Sequence, residues 1–311
     1  MKLTSYFQKL LLILQSQLFL KRHFLEPNLY LFNLKQSQLP QVNRVLFFLN
    51  HAEFMHVGDH LFFLPLIRSF IDAGYETEIC VSPLMIPFFE RLNLPIVPEP
   101  KSFTEYDLVV SRFELIPLLS KNQALFVHVS KHLTMPICSQ LLSTFSQYFH
   151  RSFHSQLDYS VFSEPEILTL LNLPTDQEFI LFNSYCDSSS YLATGRKKDL
   201  LISHAKAKAE ELNCQVVFLG TQNDKDTDHS DYPFPFIDLR GKTSIVEVFQ
   251  LVRSPKVVLY IGFDAFIMHA MSLAGKRSLV KFRGRLTRKQ AVMLEKYHVR
   301  LFAGDQLVTL I

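Results

Sequence analysis

From residue 43 onward, short apolar runs alternate with amphipathic stretches. That alternation confines the chain to α/β architecture, because near-continuous apolar strands belong in parallel sheets covered by helices on both faces. The first half reads as strands at 44–49 (RVLFFL), 77–81 (TEICV), 107–110 (DLVV) and 124–129 (ALFVHV), with a helix over 59–73 that stops at Gly74. In the second half, strands fall near 179–183, 215–219, 256–261 and 278–282, with helices near 198–212, 244–252 and 264–274. Between them, FSEPEILTLLNLPTDQE carries two prolines and polar ends, the composition of an interdomain connection. A chain of 311 residues exceeds the usual single core, which favours two domains over one large one. The division expected is an N-terminal extension over 1–42 and domains over 43–165 and 166–311. Each domain is expected to be doubly wound and Rossmann-like, with ligands at the carboxyl ends of the strands and a cleft between the domains.

The net charge of +3 does not argue for nucleic acid, and no aromatic-interleaved basic motif accompanies it. The charge is uneven, however. Lys276, Arg277, Lys281, Arg283, Arg285, Arg288 and Lys289 fall in one run without an acidic residue, either a solvated face or a docking site for phosphate or anionic lipid. Cys80, Cys138, Cys186 and Cys214 show no C-x-x-C spacing and read as reduced, mostly buried thiols of a cytoplasmic protein. The N-terminal run LLLILQSQLFL is too short to span a bilayer and lacks a secretory cleavage site. With Lys2, Lys9, Lys21 and Arg22 around it, it either lies on a membrane surface or packs on the body of the protein.

Three stretches carry candidate chemistry. The first is HVGDHLFFLPLIRSF, where Asp59 stands at a helix start just beyond a strand. A carboxylate there either caps the helix or serves as a general base at the edge where α/β proteins present ligands. The second runs from Gly241 to Asp264 and His269. Gly241 makes a turn or lets backbone approach a ligand, Thr243 or Ser244 caps a helix with Glu247 placed for a capping box, and the helix start after Asp264 is a ready anion site. The third is the polar loop NSYCDSSSYLATGRKK, which ends in Arg196, Lys197 and Lys198 at a helix N-terminus. Cations there oppose the helix dipole unless an anion intervenes, which points to phosphate contact, with a solvated cluster as the alternative.

The order and separation of these stretches resemble the family 9 glycosyltransferases, the bacterial lipopolysaccharide heptosyltransferases. That family has a Gly-Asp helix start followed by Leu-Pro and Arg, then a Gly-Lys-Thr-Ser turn, a strand and an Asp-Thr-Gly-x-x-His segment. This chain has GDHLFFLPLIRSF and GKTSIVEVFQLVRSPKVVLYIGFDAFIMHAMSLAG in those places. The resemblance spans roughly residues 43–285 and implies a GT-B-like fold. It also implies an inverting, metal-independent enzyme, without a cofactor, that moves a sugar from a nucleotide diphosphate to a lipopolysaccharide or other surface glycan; heptose from ADP-heptose is the default. By resemblance, Asp59 is the base, with Gly58 and His60 beside it on the acceptor side. On the donor side, Asp264 would hold the sugar, His269 and Arg196 or Lys197 the diphosphate, Gly241, Lys242 and Thr243 would lie along the nucleotide, and Ser184 is a further donor-binding residue.

The chain departs from the pattern in three places. Ala265-Phe266 replaces Thr-Gly, the usual Lys-x-Trp is missing, and the first ~40 residues have no counterpart. A degenerate protein of the same fold, binding glycan or a partner glycosyltransferase without catalysis, is the second expectation; a nucleotide-sugar epimerase is a third. The location implied is the cytoplasm, with contact at the inner membrane face if the N-terminal run lies on lipid.

Overall fold

A computed structural model describes residues 2–20, 29–51, 56–127, 135–154, 157–184, 195–228, 230–282, 301 and 306–311. The chain forms two compact units, Met1–Leu157 and Asp158–Ile311. The stretch 162–178, read from composition as a connection, lies within the second unit. Phe162, Ile167, Leu168, Leu171 and Leu173 are buried, and the Phe162 ring meets Phe249 at 4.7 Å between centroids. The apolar residues between the polar ends have a surface to cover, and that outweighs the two prolines.

The first unit holds α1 (Lys2–Leu20), β1 (Leu29–Phe32), β2 (Arg44–Phe48), α2 (Val57–Asp72), β3 (Glu76–Cys80), α3 (Ile86–Arg91), β4 (Leu108–Arg112), α4 (Ile116–Leu119), β5 (Ala124–Val127) and α5 (Ile137–Phe149). Its sheet runs β1-β5-β4-β2-β3. All pairings are parallel except β1 with β5. β1 falls inside the stretch that sequence alone set apart as an extension. Because β2 has β4 on one side and β3 on the other, the chain leaves its neighbours in opposite directions there, which makes the β2/β4 boundary the switch point. α2 is apolar almost all round, with His60–Ile67 buried, because it lies between the sheet and α5. Phe70 anchors this layer, stacked on Phe153 at 4.7 Å and edge-on to Phe47 at 5.4 Å.

The second unit holds α6 (Ile167–Leu170), β6 (Phe179–Asn183), α7 (Gly195–Leu212), β7 (Gln215–Phe218), α8 (Gln222–Thr227), β8 (Phe236–Asp238), α9 (Ile245–Arg253), β9 (Val257–Phe263), α10 (Phe266–Leu273), β10 (Arg277–Lys281) and β11 (Val308–Leu310). Its sheet order β11-β10-β9-β6-β7-β8 is wholly parallel. That is the doubly wound Rossmann order, with its switch point between β6 and β9.

At this boundary Gly262 of β9 faces Asn183 of β6. An added Cβ would lie 2.3 Å from the Tyr260 hydroxyl and 2.6 Å from the Asn183 carbonyl oxygen. Backbone cannot yield as a side chain does, so Gly262→Ala should cost about 1–3 kcal/mol in urea denaturation.

Burial extends to residues expected at the surface. Lys276, at the head of the basic run, is half-buried and donates to the Val257 carbonyl at 2.7 Å and to that of Ser254; desolvation pulls its pKa down to about 8. Lys281 donates to the Ile311 carbonyl at 2.5 Å. Arg283, Arg285, Arg288 and Lys289 lie outside the described residues. Cys80, Cys138 and Cys214 are buried free thiols, and Cys186 lies outside the described residues.

Candidate active site

α2 begins at Val57, with His56 as its N-cap, so Asp59 occupies the third helical position. Its Oδ2 accepts from the His56 backbone N–H at 3.2 Å, satisfying one of the helix's orphan donors. The same Oδ2 accepts from Nη1 of Arg112 at 2.6 Å. Arg112 closes β4, and the pairing of Phe47 with Val110 brings the ends of β2 and β4 side by side. The guanidinium also grips Glu114 with both Nε (3.2 Å) and Nη2 (2.8 Å).

One cation thus serves two carboxylates at the switch point, with side-chain exposures of 20% for Asp59, 13% for Arg112 and 10% for Glu114. Burial raises the Glu114 carboxyl pKa, Arg112 opposes the rise, and the Asp59 charge adds to it. Among the described residues, no hydrogen bond reaches Oδ1 of Asp59. The cap and base readings of Asp59 are therefore compatible. Oδ2 is spent on holding the side chain, and Oδ1 accepts no bond among the described residues.

Gly58 lies one position earlier and is half-buried. His60 is fully buried. Its Nδ1 meets the His56 carbonyl at 3.0 Å and its Nε2 accepts from the Ser82 N–H at 3.5 Å. Burial lowers its pKa, so the ring is held neutral; it ties the helix start to the loop after β3. Neither Arg112 nor Glu114 was singled out from sequence, and the only hint was two charges, in SRFE, ending an apolar strand.

At the carboxyl edge of the second sheet, Ser184 follows β6 and Asp264 follows β9, and the register of Asn183 with Gly262 makes them neighbours across the switch point. The helix after Asp264 starts with Ala265 as its N-cap, without a side-chain cap bond. Phe266 is half-buried at the first helical position, and His269, a turn later, is 5% exposed. Gly241 has φ +72° and an added Cβ would sit 2.4 Å from the Gln222 side-chain oxygen, so it both makes a turn and packs against α8. Lys242 donates to the Asp238 carbonyl at 2.8 Å. Ser244, and not Thr243, is the cap, accepting from the Glu247 N–H at 3.2 Å and donating its own N–H to Glu247 at 2.7 Å. These residues follow β8, at the opposite edge from β11 and three strands from β9.

The cations at the α7 start are engaged. Lys197 donates to the Phe282 carbonyl at 3.0 Å, and Lys198 pairs with Asp228; the side chain of Arg196 lies outside the described residues. Asp228, with a fully buried side chain, also takes Arg240 at 2.7 Å, Ser184 at 3.3 Å and the Tyr232 hydroxyl. Arg240 in turn holds Asp238 through Nε at 2.9 Å and Nη2 at 3.1 Å. Burial pushes the Asp228 carboxyl up, but hydrogen bonds from Lys198 and Tyr232 with the Lys198 charge outweigh it and hold the pKa at about 2. This network ties the ends of β6 and β8 to α7 and α8. Among the described residues, no three His, Cys, Asp or Glu side chains are arranged to hold a metal ion.

No family model and no curated protein sequence matches the chain. Solved structures do. The ADP-heptose lipopolysaccharide heptosyltransferase II of E. coli is similar over 86% of this chain and 90% of its own, at 12% identity and a TM-score of 0.56. A family 9 glycosyltransferase from Veillonella parvula is similar over 86% and 85%, at 11% identity and 0.55. The E. coli heptosyltransferase WaaC, solved with ADP-2-deoxy-2-fluoro heptose, is similar over 86% and 92%, at 15% identity and 0.51. At these identities the likeness establishes the fold: α/β, of GT-B type, with two Rossmann-like domains in succession.

Proposed function

We propose that the protein is an inverting glycosyltransferase taking a sugar from a nucleotide diphosphate, with Asp59 as its general base. The observation that carries this reading is Asp59 itself, fixed at a switch point by Arg112 and His56 with Oδ1 open. In the reaction proposed, an acceptor hydroxyl gives its proton to Oδ1 as its oxygen attacks the anomeric carbon. The bond from that carbon to the diphosphate breaks, and the diphosphate leaves with the electron pair. The step calls for no metal or cofactor if preorganised donors meet the charge developing on the leaving group. Asp264, Ser184 and the start of α10, whose N-cap Ala265 makes no side-chain cap bond, are the donor-side candidates that share one switch point. The similar structures motivate ADP-heptose as first donor and lipopolysaccharide or another surface glycan as acceptor, with the protein working in the cytoplasm at the inner membrane face.

A second reading, a non-catalytic relative binding glycan or a partner glycosyltransferase, is favoured by the donor side. There Lys197 and Lys198 are held by protein groups, and Ala265-Phe266 stands where the resembling family has Thr-Gly. A thermal-shift series with ADP-, GDP- and UDP-sugars separates the two. At a hundred times its Kd, a true donor contributes about 2.7 kcal/mol and should raise the melting point of a unit this size by several degrees. If none of the three moves it, the second reading replaces the first.

A further inference from the structure

α1 turns two apolar faces in different directions. Leu12 and Ile13 pack against the core cluster that includes Phe113, Leu115, Ile116 and Leu119, on elements that α1 contacts, and Ser16 on the same side is fully buried. On the opposite face Phe7 (66%), Leu10 (44%), Leu11 (46%), Leu14 (54%) and Leu18 (66%) are exposed. At helical spacing they fall within an arc of about 100°. Leu118 of α4, on which α1 packs, is 52% exposed as well.

Soluble proteins rarely leave such a row in water; it marks a surface that something covers. The charge around the row indicates what. Residues 1–25 include Lys2, Lys9, Lys21 and Arg22 and no Asp or Glu. No described helix is long and apolar enough to cross a membrane. An apolar face in a stretch of sequence that carries cations and no acidic residue, on a helix not long and apolar enough to cross, suits a position in the plane of a bilayer, with attraction to anionic headgroups acting over about a Debye length.

We infer that the exposed face of α1 seats the protein on an anionic lipid surface. α1 also packs on the turn Phe113–Leu115, whose Glu114 grips the Arg112 that holds Asp59. The lipid would therefore lie one helix away from the turn that positions the proposed base. This deepens the reading above by naming a lipid-anchored acceptor as the class that arrives there.

Flotation of the full chain with vesicles tests the inference. The protein should rise with phosphatidylcholine vesicles containing phosphatidylglycerol, and about tenfold less with phosphatidylcholine alone. The variant Leu10→Ser/Leu14→Ser/Leu18→Ser should lose about tenfold or more of this binding, with an unchanged melting curve showing that the fold survives. The inference is overturned if the wild type stays unbound on the mixed vesicles or if the triple variant floats equally well. It is also overturned if light scattering shows a dimer that the serines dissolve, since a second copy would then be the occupant. Flotation needs no donor. Binding to lipid without a nucleotide-sugar shift would thus sink the transferase reading and leave this one standing.

Discussion

Asp59→Asn should slow sugar transfer by about 100- to 10,000-fold, the usual contribution of a positioned general base, with little change in donor affinity. The fold should tolerate it. Arg112 keeps its two-pronged hold on Glu114, so no buried cation is stranded, and the loss is confined to one bond to the His56 N–H and one to Arg112. A weakened cap costs about 1 kcal/mol, or a few degrees of melting temperature for a unit this size. Initial rates with a saturating nucleotide sugar, read beside the melting curve, check both halves. A variant that keeps wild-type turnover removes Asp59 from the chemistry.

The largest stability effect should come from Asp228→Asn. Its carboxylate answers both Lys198 and Arg240 with no exposure of its own. Removing the charge leaves Lys198 without its carboxylate, while Arg240 keeps its two-pronged hold on Asp238, a loss of about 3 kcal/mol, the lower end for breaking a buried pair. Because the folded-state pKa of about 2 lies below the ordinary 3.8, the stabilisation is complete above that ordinary value and is lost as pH falls toward the folded one. The wild type should give up about 2 kcal/mol across that interval. Urea titrations at a series of pH values should show a shallower acid-side slope in the variant than in the wild type, since Glu78, Asp158 and Asp238, whose carboxyls are also held below their ordinary range, remain in both. A variant that melts like the wild type would show that the network contributes no net stability.

The contrast between these two carboxylates shows what was legible in the sequence. RVLFF, FILFN and KVVLYI announce themselves because strands buried on both faces must be apolar throughout, and the Ser244–Glu247 box is a local pattern. Asp59 is visible for the same reason, as a charge just past such a strand at a helix start. Its partner Arg112 is 53 residues away and becomes a neighbour only because β2 pairs with β4, which no local pattern specifies. Asp228 sits in the polar string TDHSDYP, indistinguishable by composition from a solvated loop. The edge strands β1, β8 and β11, three or four residues each, are too short for a period to show, and β8 is hidden further by the prolines of YPFPFID.

The antiparallel edge of the first sheet has a bearing on synthesis. β1 waits for β5, since Leu29 pairs with Val127 about a hundred residues later, and α1 waits as long for the segment around Phe113 and Ile116. At about 5–20 residues per second, the ribosome leaves this apolar helix without its protein partner for several seconds. A nascent chain in that condition shows apolar surface to solvent, so the late arrival of β5 lengthens the interval in which aggregation threatens and chaperone binding protects the first domain.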